Sequence, residues 1–508
     1  MANPLFDRLF APHVGSDAPF LLPPGGGAAQ SYGAFLEDAA RIAGALAGLG
    51  LDPGDRVAVQ VPKSARALAL YAACVQAGLV FLPLNTAYTG AELAYFVENS
   101  GARALVCDPG EAARLAELAG RCGAELLTLG ADGQGTLADL AEGQPARAPV
   151  VPRGAGDLAA LLYTSGTTGR SKGAMLTQEN LLSNALVLAE AWSFDGRDVL
   201  LHALPIFHTH GLFVATNVVL ATGGAMIFMP AFEAAAALAE LPRATAMMGV
   251  PTFYTRLLDR PDFTREAAGH MRLFTSGSAP LLAETHRAFE RRTGHRILER
   301  YGMTETNMTT SNPYAGERRP GTVGPPLAGV DLRIVAEGRE VPRGAVGEIE
   351  VRGPGVFAGY WGMPEKTEEE MTADGFFRTG DLAMQDADGY VTIVGRAKDL
   401  IISGGYNIYP REVEEVLDAV PGVREAAVIG VPHPDFGESP VAVVVAEPGG
   451  APDRAALLAA CGETLARFKH PREVIAVESL PRNAMGKVQK AELRARYADL
   501  FAPPASPE

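Results

Sequence analysis

Apolar positions change period repeatedly along the chain, and the changes mark its elements. From Tyr32 to Leu49, Ala and Leu recur at helical spacing until Gly50 stops the run. Arg56 to Val61 (RVAVQV) reads as a strand, and Ser64 to Ala77 is helical again, ending before Gly78. Val80 to Leu82 and Ala104 to Cys107 read as further strands, with a helix between them and another after. Such alternation predicts a mainly parallel sheet covered on both faces, so the expected class is α/β. The longest apolar run, Ala67 to Leu84, is broken by Gln76, Gly78 and Pro83, and reads as a buried helix followed by a strand rather than a membrane span.

From Gly130 to Asp157 the composition shifts to Gly, Ala, Pro and acids, as in a surface connection. A second α/β stretch runs from Thr177 to about Tyr301, and the short segments VDLRIV and GEIEVRG between Gly321 and Gly359 predict a small β unit. Asp388-Gly389 turns a hairpin into YVTIVG. After Arg396 the pattern restarts: KDLIISGGYNIYP, a helix from Arg411 to Ala419, strands EAAVIGV and VAVVVA, a helix from Asp453 to Arg467, and a strand near Val474. The expected division is a domain over 1–396 and a second over 397–508, of typical domain size, with Lys398 as the hinge.

The stretch Tyr163 to Ala174 (YTSGTTGRSKGA) follows the apolar run Leu158 to Tyr163 and gathers glycines, hydroxyls and a lysine. Gly166, Gly169 and Gly173 allow backbone N–H groups to turn onto an anion, Thr164, Ser165, Thr167 and Thr168 add hydroxyl donors, and Lys172 adds a charge. The spacing is not that of a Walker A loop. Thr177, an N-cap with Glu179 in the first turn, starts a helix only after a second short strand, so the loop should cap a hairpin. A Gly/Ser/Thr linker is the plain alternative, and its placement between two apolar strands argues against it.

Three further constellations bear on chemistry. In ERYGMTETNM, Glu305 is a magnesium candidate, because a carboxylate beside a polyphosphate reaches it through a hard cation; alone it would be a capping or solvated acid. Thr379-Gly380-Asp381 with Gly395-Arg396 supplies an aspartate able to hold two ribose hydroxyls and an arginine near it, although either could be a turn or surface-pair residue. Pro481 to Lys487 (PRNAMGK) is an extended loop ending in Gly-Lys.

The chain is 508 residues long with a formal charge of −15, which argues against a nucleic-acid partner. Cys74, Cys107, Cys122 and Cys461 show no metal-ligand or disulfide spacing, consistent with a reducing cytoplasm. The opening MANPLFDRLFAPH has neither a signal-peptide nor a transit-peptide pattern, and no membrane association is expected.

These motifs together resemble the adenylate-forming superfamily, which includes acyl-CoA synthetases, adenylation domains of peptide synthetases, and luciferases. They occur in the family's order over nearly the whole chain. The resemblance implies a large N-terminal domain of two α/β subdomains plus a small β-barrel unit, and a smaller mobile α+β C-terminal domain bearing a catalytic lysine, Lys487. It implies ATP, Mg²⁺ and coenzyme A as reactants and cofactor. Tyr301 would stack on adenine, with Gly302 beside it and Gly277, Ser278 and Ala279 forming the opposite wall. Thr304 would contact the α-phosphate, and Glu305 with Thr164 would position Mg²⁺. Asp381 and Arg396 would hold the ribose. Gly404 and Gly405 would approach the thiol arm of coenzyme A, with Lys469 and Arg467 offered for its 3′-phosphate.

The segments HALPIFHTHGL, MGVPTFYTRLL and YGMTETNMTTSNPY resemble the malonyl-CoA synthetase branch. That resemblance places Arg256 in the acyl pocket as a buried guanidinium for a second carboxylate, with Thr209 and Met308 on the floor, so that malonate and plausibly methylmalonate are the acids. Otherwise Arg256 is a helix-surface arginine paired with Asp259 or Glu266. His208 is the family's gating residue and His210 packing; without a third ligand they make no zinc site. A lysine acyltransferase or deacylase acting on Lys487 is a further expected partner. A fatty acyl-CoA ligase and a stand-alone enzyme loading a carrier protein are the alternatives, and a non-catalytic scaffold would be expected to lack Lys487 or Glu305.

Overall fold

The computed structural model describes residues 3–164, 171–404, 406–448, 450, 453–483 and 486–501. Four sheets organise them. A six-stranded sheet runs, in spatial order, Glu125–Thr128, Ala104–Cys107, Arg56–Gln60, Val80–Pro83, Leu158–Thr164, Lys172–Thr177. All its neighbours are parallel except the last pair, which forms the expected hairpin. Helices start and stop where the sequence supplies caps: Ser64 accepts from the Ala67 N–H, and Gly78 ends Ala65–Ala77 in the left-handed conformation (φ 70°) that glycine adopts without strain. The run Ala67 to Leu84 is a buried helix and strand, as its interruptions predict.

The second sheet has eight strands, with Leu273–Ser276, Ala246–Gly249, Val199–His202 and Ala225–Phe228 parallel at its centre. Leu298–Met303 and Asn307–Ser311 close one edge as an antiparallel pair. The other edge is made by Pro19–Leu22 and Gln30–Ser31. The chain therefore begins in the second sheet before building the first. Pro19–Leu22 lies among prolines and glycines (APFLLPPGGG), which read as a turn and hide the strand.

Asp331–Ala336, Arg339–Glu340, Gly347–Arg352, Phe377–Gln385 and Val391–Arg396 form an antiparallel five-stranded sheet. The last sheet is built wholly from residues after 400, and its two apolar clusters, around Ile401, Val413 and Leu457 and around Ile429, Val443 and Leu493, are separate from the large core that spans Leu5 to Val391. Two short helices depart from the sequence reading. Thr136–Glu142 buries Leu137 and Ala141 inside the stretch read as surface connection, and Lys490–Arg496 buries Leu493 beyond the catalytic-lysine motif. At seven residues each, neither repeats long enough to reveal a helical period. Among the described residues no helix is long and apolar enough to cross a membrane.

Candidate active site

The carboxyl ends of the central strands and the loops that follow them converge on one cleft, the usual place for ligands in open α/β sheets. Leu158–Thr164 and Lys172–Thr177 are paired in register to Thr164 opposite Lys172, so the glycine- and threonine-rich segment between them caps a hairpin. Ser165, Gly166, Thr167, Thr168 and Gly169 themselves lie outside the described residues. Thr164 Oγ1 donates to Glu305 Oε1 at 3.1 Å, joining the first motif to the second across 141 positions of sequence. Tyr360 donates to the same Glu305 oxygen (3.3 Å) and more closely to Glu370 Oε2 (2.7 Å). Lys172 Nζ pairs with Glu370 Oε1 at 2.9 Å and sits 4.0 Å from the centre of the Tyr360 ring. Burial raises the Glu305 carboxyl above its usual range.

No group of three or more His, Cys, Asp or Glu residues that could hold a metal occurs among the described residues. Glu305 with the Thr164 hydroxyl offers instead one buried carboxylate and one hydroxyl, hard oxygen donors of the kind Mg²⁺ takes when substrate phosphates complete its shell. Tyr360 and Glu370 were not legible as site residues. They lie in GYWGMPEKTEEE, whose acids read as a solvated helix face.

Beside this pair, Asp381 is gripped from both sides. Tyr301 donates its hydroxyl to Asp381 Oδ2, and Arg396 Nε lies 2.7 Å from Oδ1. The register places Asp381 opposite Arg396 on adjacent antiparallel strands, which is why residues fifteen apart meet. Burial, and then the Asp381 charge, push the Tyr301 phenol well above its ordinary range. Gly302 has no room for a side chain, because a Cβ there would overlap the Asn307 carbonyl. Thr304 is half-buried in the tight turn that follows. Gly277, Ser278 and Ala279 leave the end of the strand Leu273–Ser276, with Ser278 in the left-handed region (φ 68°).

The deepest charge in the cleft is Arg300. It is 2% exposed, and its Nε and Nη2 are buried with no hydrogen-bond partner among the described residues. Its guanidinium lies against the backbone of Gly277, where a Cβ would collide with it. Burial lowers its pKa only to about 10, so it stays cationic at neutral pH. His208 and His210 are both held neutral, first by burial and then by this cation; the His208 pKa falls to about 4. His210 Nδ1 is 3.2 Å from Ser278 Oγ, and Nε2 has no partner. The Thr209 hydroxyl is also buried, with no partner among the described residues, and Met308 is buried. A buried guanidinium near two neutral histidines, with no carboxylate paired to it among the described residues, has the chemistry to take an anion.

Arg256 does not supply that charge. It is exposed in the last turn of the helix Pro251–Leu258, and it makes no ion pair with Asp259 or Glu266. The expectation of a buried Arg256 is thus corrected: it is the helix-surface arginine of the alternative reading, without the pairing to Asp259 or Glu266. The helix is short and amphipathic, with Phe253, Tyr254 and Leu257 taking the buried face, which turns position 256 outward. Sequence proximity to the pocket motif was a poor guide here. Arg300 stood in the RYGMTE motif, but nothing in its spacing distinguished an inward strand position from an outward one.

The C-terminal unit closes over the cleft. Gly486 lies against Thr252 of the same helix, with 3.4 Å from the place of its missing Cβ to Thr252 Oγ1. Lys487 follows, half-buried, with its pKa lowered to about 8 by burial and then by the Arg396 charge beside it. Its loop is held by Asn483, whose Oδ1 accepts from the Lys487 N–H at 3.0 Å. Lys398 lies in the single 3₁₀ turn Ala397–Asp399 joining the two units, and Asp399 is tied to Arg494 at 2.7 Å. Gly404 is left-handed (φ 56°) and packs on Phe436, whereas Gly405 lies outside the described residues. Lys469 is already paired with Glu412 at 2.5 Å, and Arg467 is exposed.

The arrangement matches known proteins over most of the chain. A family model described as AMP-binding enzyme matches residues 11–361, and one described as AMP-binding enzyme C-terminal domain matches 412–487. ATP-bound MatB from Rhodopseudomonas palustris superposes with a TM-score of 0.96 at 55% identity, covering 99% of this chain and 100% of that one; the apo form of the same protein gives 0.85. The whole chain thus superposes more closely on the ATP-bound form than on the apo form. A sulfoacetate–CoA ligase of Cupriavidus necator is 39% identical over 94% of both chains. The mouse mitochondrial malonate–CoA ligase ACSF3 is 38% identical over 82% of this chain and 77% of its own, and a feruloyl-CoA synthase of an Amycolatopsis species is 39% identical over 93% and 95%. With both halves of the fold matched by family models and relatives of 38–39% identity covering most of the chain, the chain belongs to the AMP-binding enzyme family, as an AMP-forming acyl-CoA ligase.

Proposed function

We propose that the acid is a short dianion, malonate first and methylmalonate second, joined to coenzyme A through an acyl-adenylate. The observation that supports this reading is the buried cation Arg300, whose Nε and Nη2 have no partner among the described residues. One carboxylate of malonate would pair with it while the other, one methylene away, attacks the α-phosphorus of ATP. An uncharged tail would leave the guanidinium desolvated and unpaired, a cost of several kcal/mol. Feruloyl and fatty acyl chains are disfavoured on that ground. Sulfoacetate is a second reading, since its sulfonate offers the same charge at the same distance and a relative of that name is 39% identical. Thr209 and Met308, both buried, leave little room for a substituent on C2.

In the first half-reaction a carboxylate oxygen bonds to the α-phosphorus and the bond to the bridging oxygen breaks, releasing pyrophosphate. In the second the thiolate of coenzyme A attacks the acyl carbon and AMP leaves. Negative charge grows on phosphate oxygens in the first step, so fixed donors and cations supply most of the help the chain can give. Lys487 would serve there, bridging carboxylate and α-phosphate, together with Thr304 and the phosphate-loop hydroxyls. Asp381 and Arg396 would take the ribose, and Tyr301, freed from Asp381, the adenine. Glu305 and Thr164 would hold Mg²⁺, which supplies neutralisation of the triphosphate. His208, neutral and beside Arg300, would line the passage between the acid and the thiol. The boundary between the moving parts would fall at Arg396–Ala397, with Lys398 absorbing the rotation. The cytoplasm is the proposed compartment.

The test is acid-dependent formation of coenzyme A thioester with malonate, methylmalonate, sulfoacetate, succinate, acetate, octanoate and ferulate. Malonate should give the highest kcat/KM, with succinate and the monoacids far below. Comparable turnover of acetate, octanoate or ferulate would overturn the dianion reading, and preference for sulfoacetate over malonate would move the assignment to the sulfonate.

A further inference from the structure

Lys63 lies outside every motif, in the segment between the strand Arg56–Gln60 and the helix Ala65–Ala77, yet its ammonium reaches across from the first sheet to the second. It contacts three acceptors there: His202 Nδ1 (2.9 Å), the His202 carbonyl (2.9 Å) and the Leu204 carbonyl (2.8 Å). It also sits 4.3 Å from the centre of the Phe228 ring. No carboxylate partners it among the described residues.

The proton arrangement follows from the partners. His202 Nε2 is 2.8 Å from the Gly211 carbonyl, which can only accept, so Nε2 carries the ring proton. Burial, and then the Lys63 charge, hold the ring neutral, leaving Nδ1 bare to accept from Lys63. Three acceptors around Nζ require three N–H bonds, the ammonium form, against the pull of burial toward the neutral amine. The Gly211 carbonyl also accepts from Thr216 Oγ1 at 3.0 Å. Gly211 is the second residue of the π-helical stretch His210–Thr216, where backbone carbonyls lose their regular partners, and its missing side chain lets it press on the Pro205 carbonyl. The segment from Ala203 to Gly211 is thus pinned at Leu204 by Lys63 and at Gly211 by His202. Between the pins stand His208 and His210, which feel the Arg300 charge, and the buried Thr209.

We propose that Lys63 is a positioning residue for the acid substrate, its ammonium fixing through His202 and the Leu204 carbonyl the segment that faces Thr209 and His208 toward Arg300. The proposal rests on the reading of that pocket given above. It separates Lys63 from the nucleotide: nothing in its network touches Glu305, Asp381 or Arg396.

Lys63→Met keeps the stem against Phe228 and removes the three donors. Measured with malonate, it should raise KM for the acid at least tenfold while leaving KM for ATP within about twofold, and it should narrow the preference for malonate over methylmalonate, because Thr209 is no longer held in place. His202→Gln, which can keep a donor to Gly211 but loses the Nδ1 acceptor, should show the same split more weakly; it decides the matter if Lys63→Met does not accumulate as folded protein. An unchanged KM for malonate, or equal rises for malonate and ATP in both variants, would overturn the proposal. Failure of the pocket reading itself shows elsewhere, as an Arg300→Met enzyme whose preference for malonate over acetate is unaltered.

Discussion

The Arg300 guanidinium lies so close across Gly277 that a methyl group added to Gly277 would come within 2.7 Å of its Nε and collide with the atoms beyond. Gly277 has no left-handed φ that an alanine would strain, so the cost falls on the flexible arginine end and not on the backbone. Gly277→Ala should therefore fold normally, displace the cation, and raise KM for malonate by about one to two orders of magnitude, roughly 1.4 kcal/mol per factor of ten. Steady-state kinetics beside a thermal melt checks this. An unchanged KM with an unchanged melt would mean that the guanidinium is free to move without consequence.

The role proposed for Lys487 would link pH to the first half-reaction. Its pKa is lowered to about 8, so the docked lysine binds fewer protons than a free one between about pH 8 and its usual value near 10.5. Docking of the C-terminal unit is accordingly favoured as pH rises through that window, while the charge needed for adenylation is lost. Malonate-dependent ATP–pyrophosphate exchange, plotted as kcat/KM, should fall above about pH 8 in the free enzyme. Lys487→Ala should lose exchange by several orders of magnitude, show no such limb, and still convert synthetic malonyl-adenylate and coenzyme A to thioester at near the normal rate. Acylation of the side chain should act likewise. Loss of both half-reactions would place Lys487 in the fold or in both steps.

Lys398 sits at the middle of the one short turn between the units. Proline there fixes φ near the value that a 3₁₀ turn already has, so the arrangement seen here should survive while rotation away from it is resisted. Lys398→Pro should form malonyl-adenylate at close to the normal single-turnover rate and transfer it to coenzyme A at least tenfold more slowly. Equal loss in both steps would point to misfolding.

The parallel strands, the capped helices and the hairpin under the phosphate loop were legible because each follows from local pattern and turn chemistry. Thr177 as N-cap and Gly78 as helix stop required no knowledge of tertiary structure. Pairings made by register were less so: Asp381 and Arg396 were named, but not their grip on one carboxylate, nor the hydroxyl of Tyr301 in it. Burial was legible least. Arg256 and Arg300 are the same residue type in two motifs that line one cleft, and only the packing of Phe253, Tyr254 and Leu257 on one side and Gly277 on the other sends one outward and the other in. Lys63, Tyr360 and Glu370 lie outside the motifs altogether; no spacing rule points to a lysine that crosses between two sheets.

Whether Arg300 reads the second charge of the acid can be measured directly. The direct measurement is ATP–pyrophosphate exchange driven by malonate and by acetate, in the native enzyme and in Arg300→Met, which keeps bulk and removes the cation. Loss of a buried charge-assisted pair costs about 2–5 kcal/mol, so the malonate-to-acetate ratio of kcat/KM should collapse by ~10² or more, with acetate itself changed little. A ratio that stays as it was, or a parallel loss on both acids, would contradict the claim that this guanidinium selects the substrate.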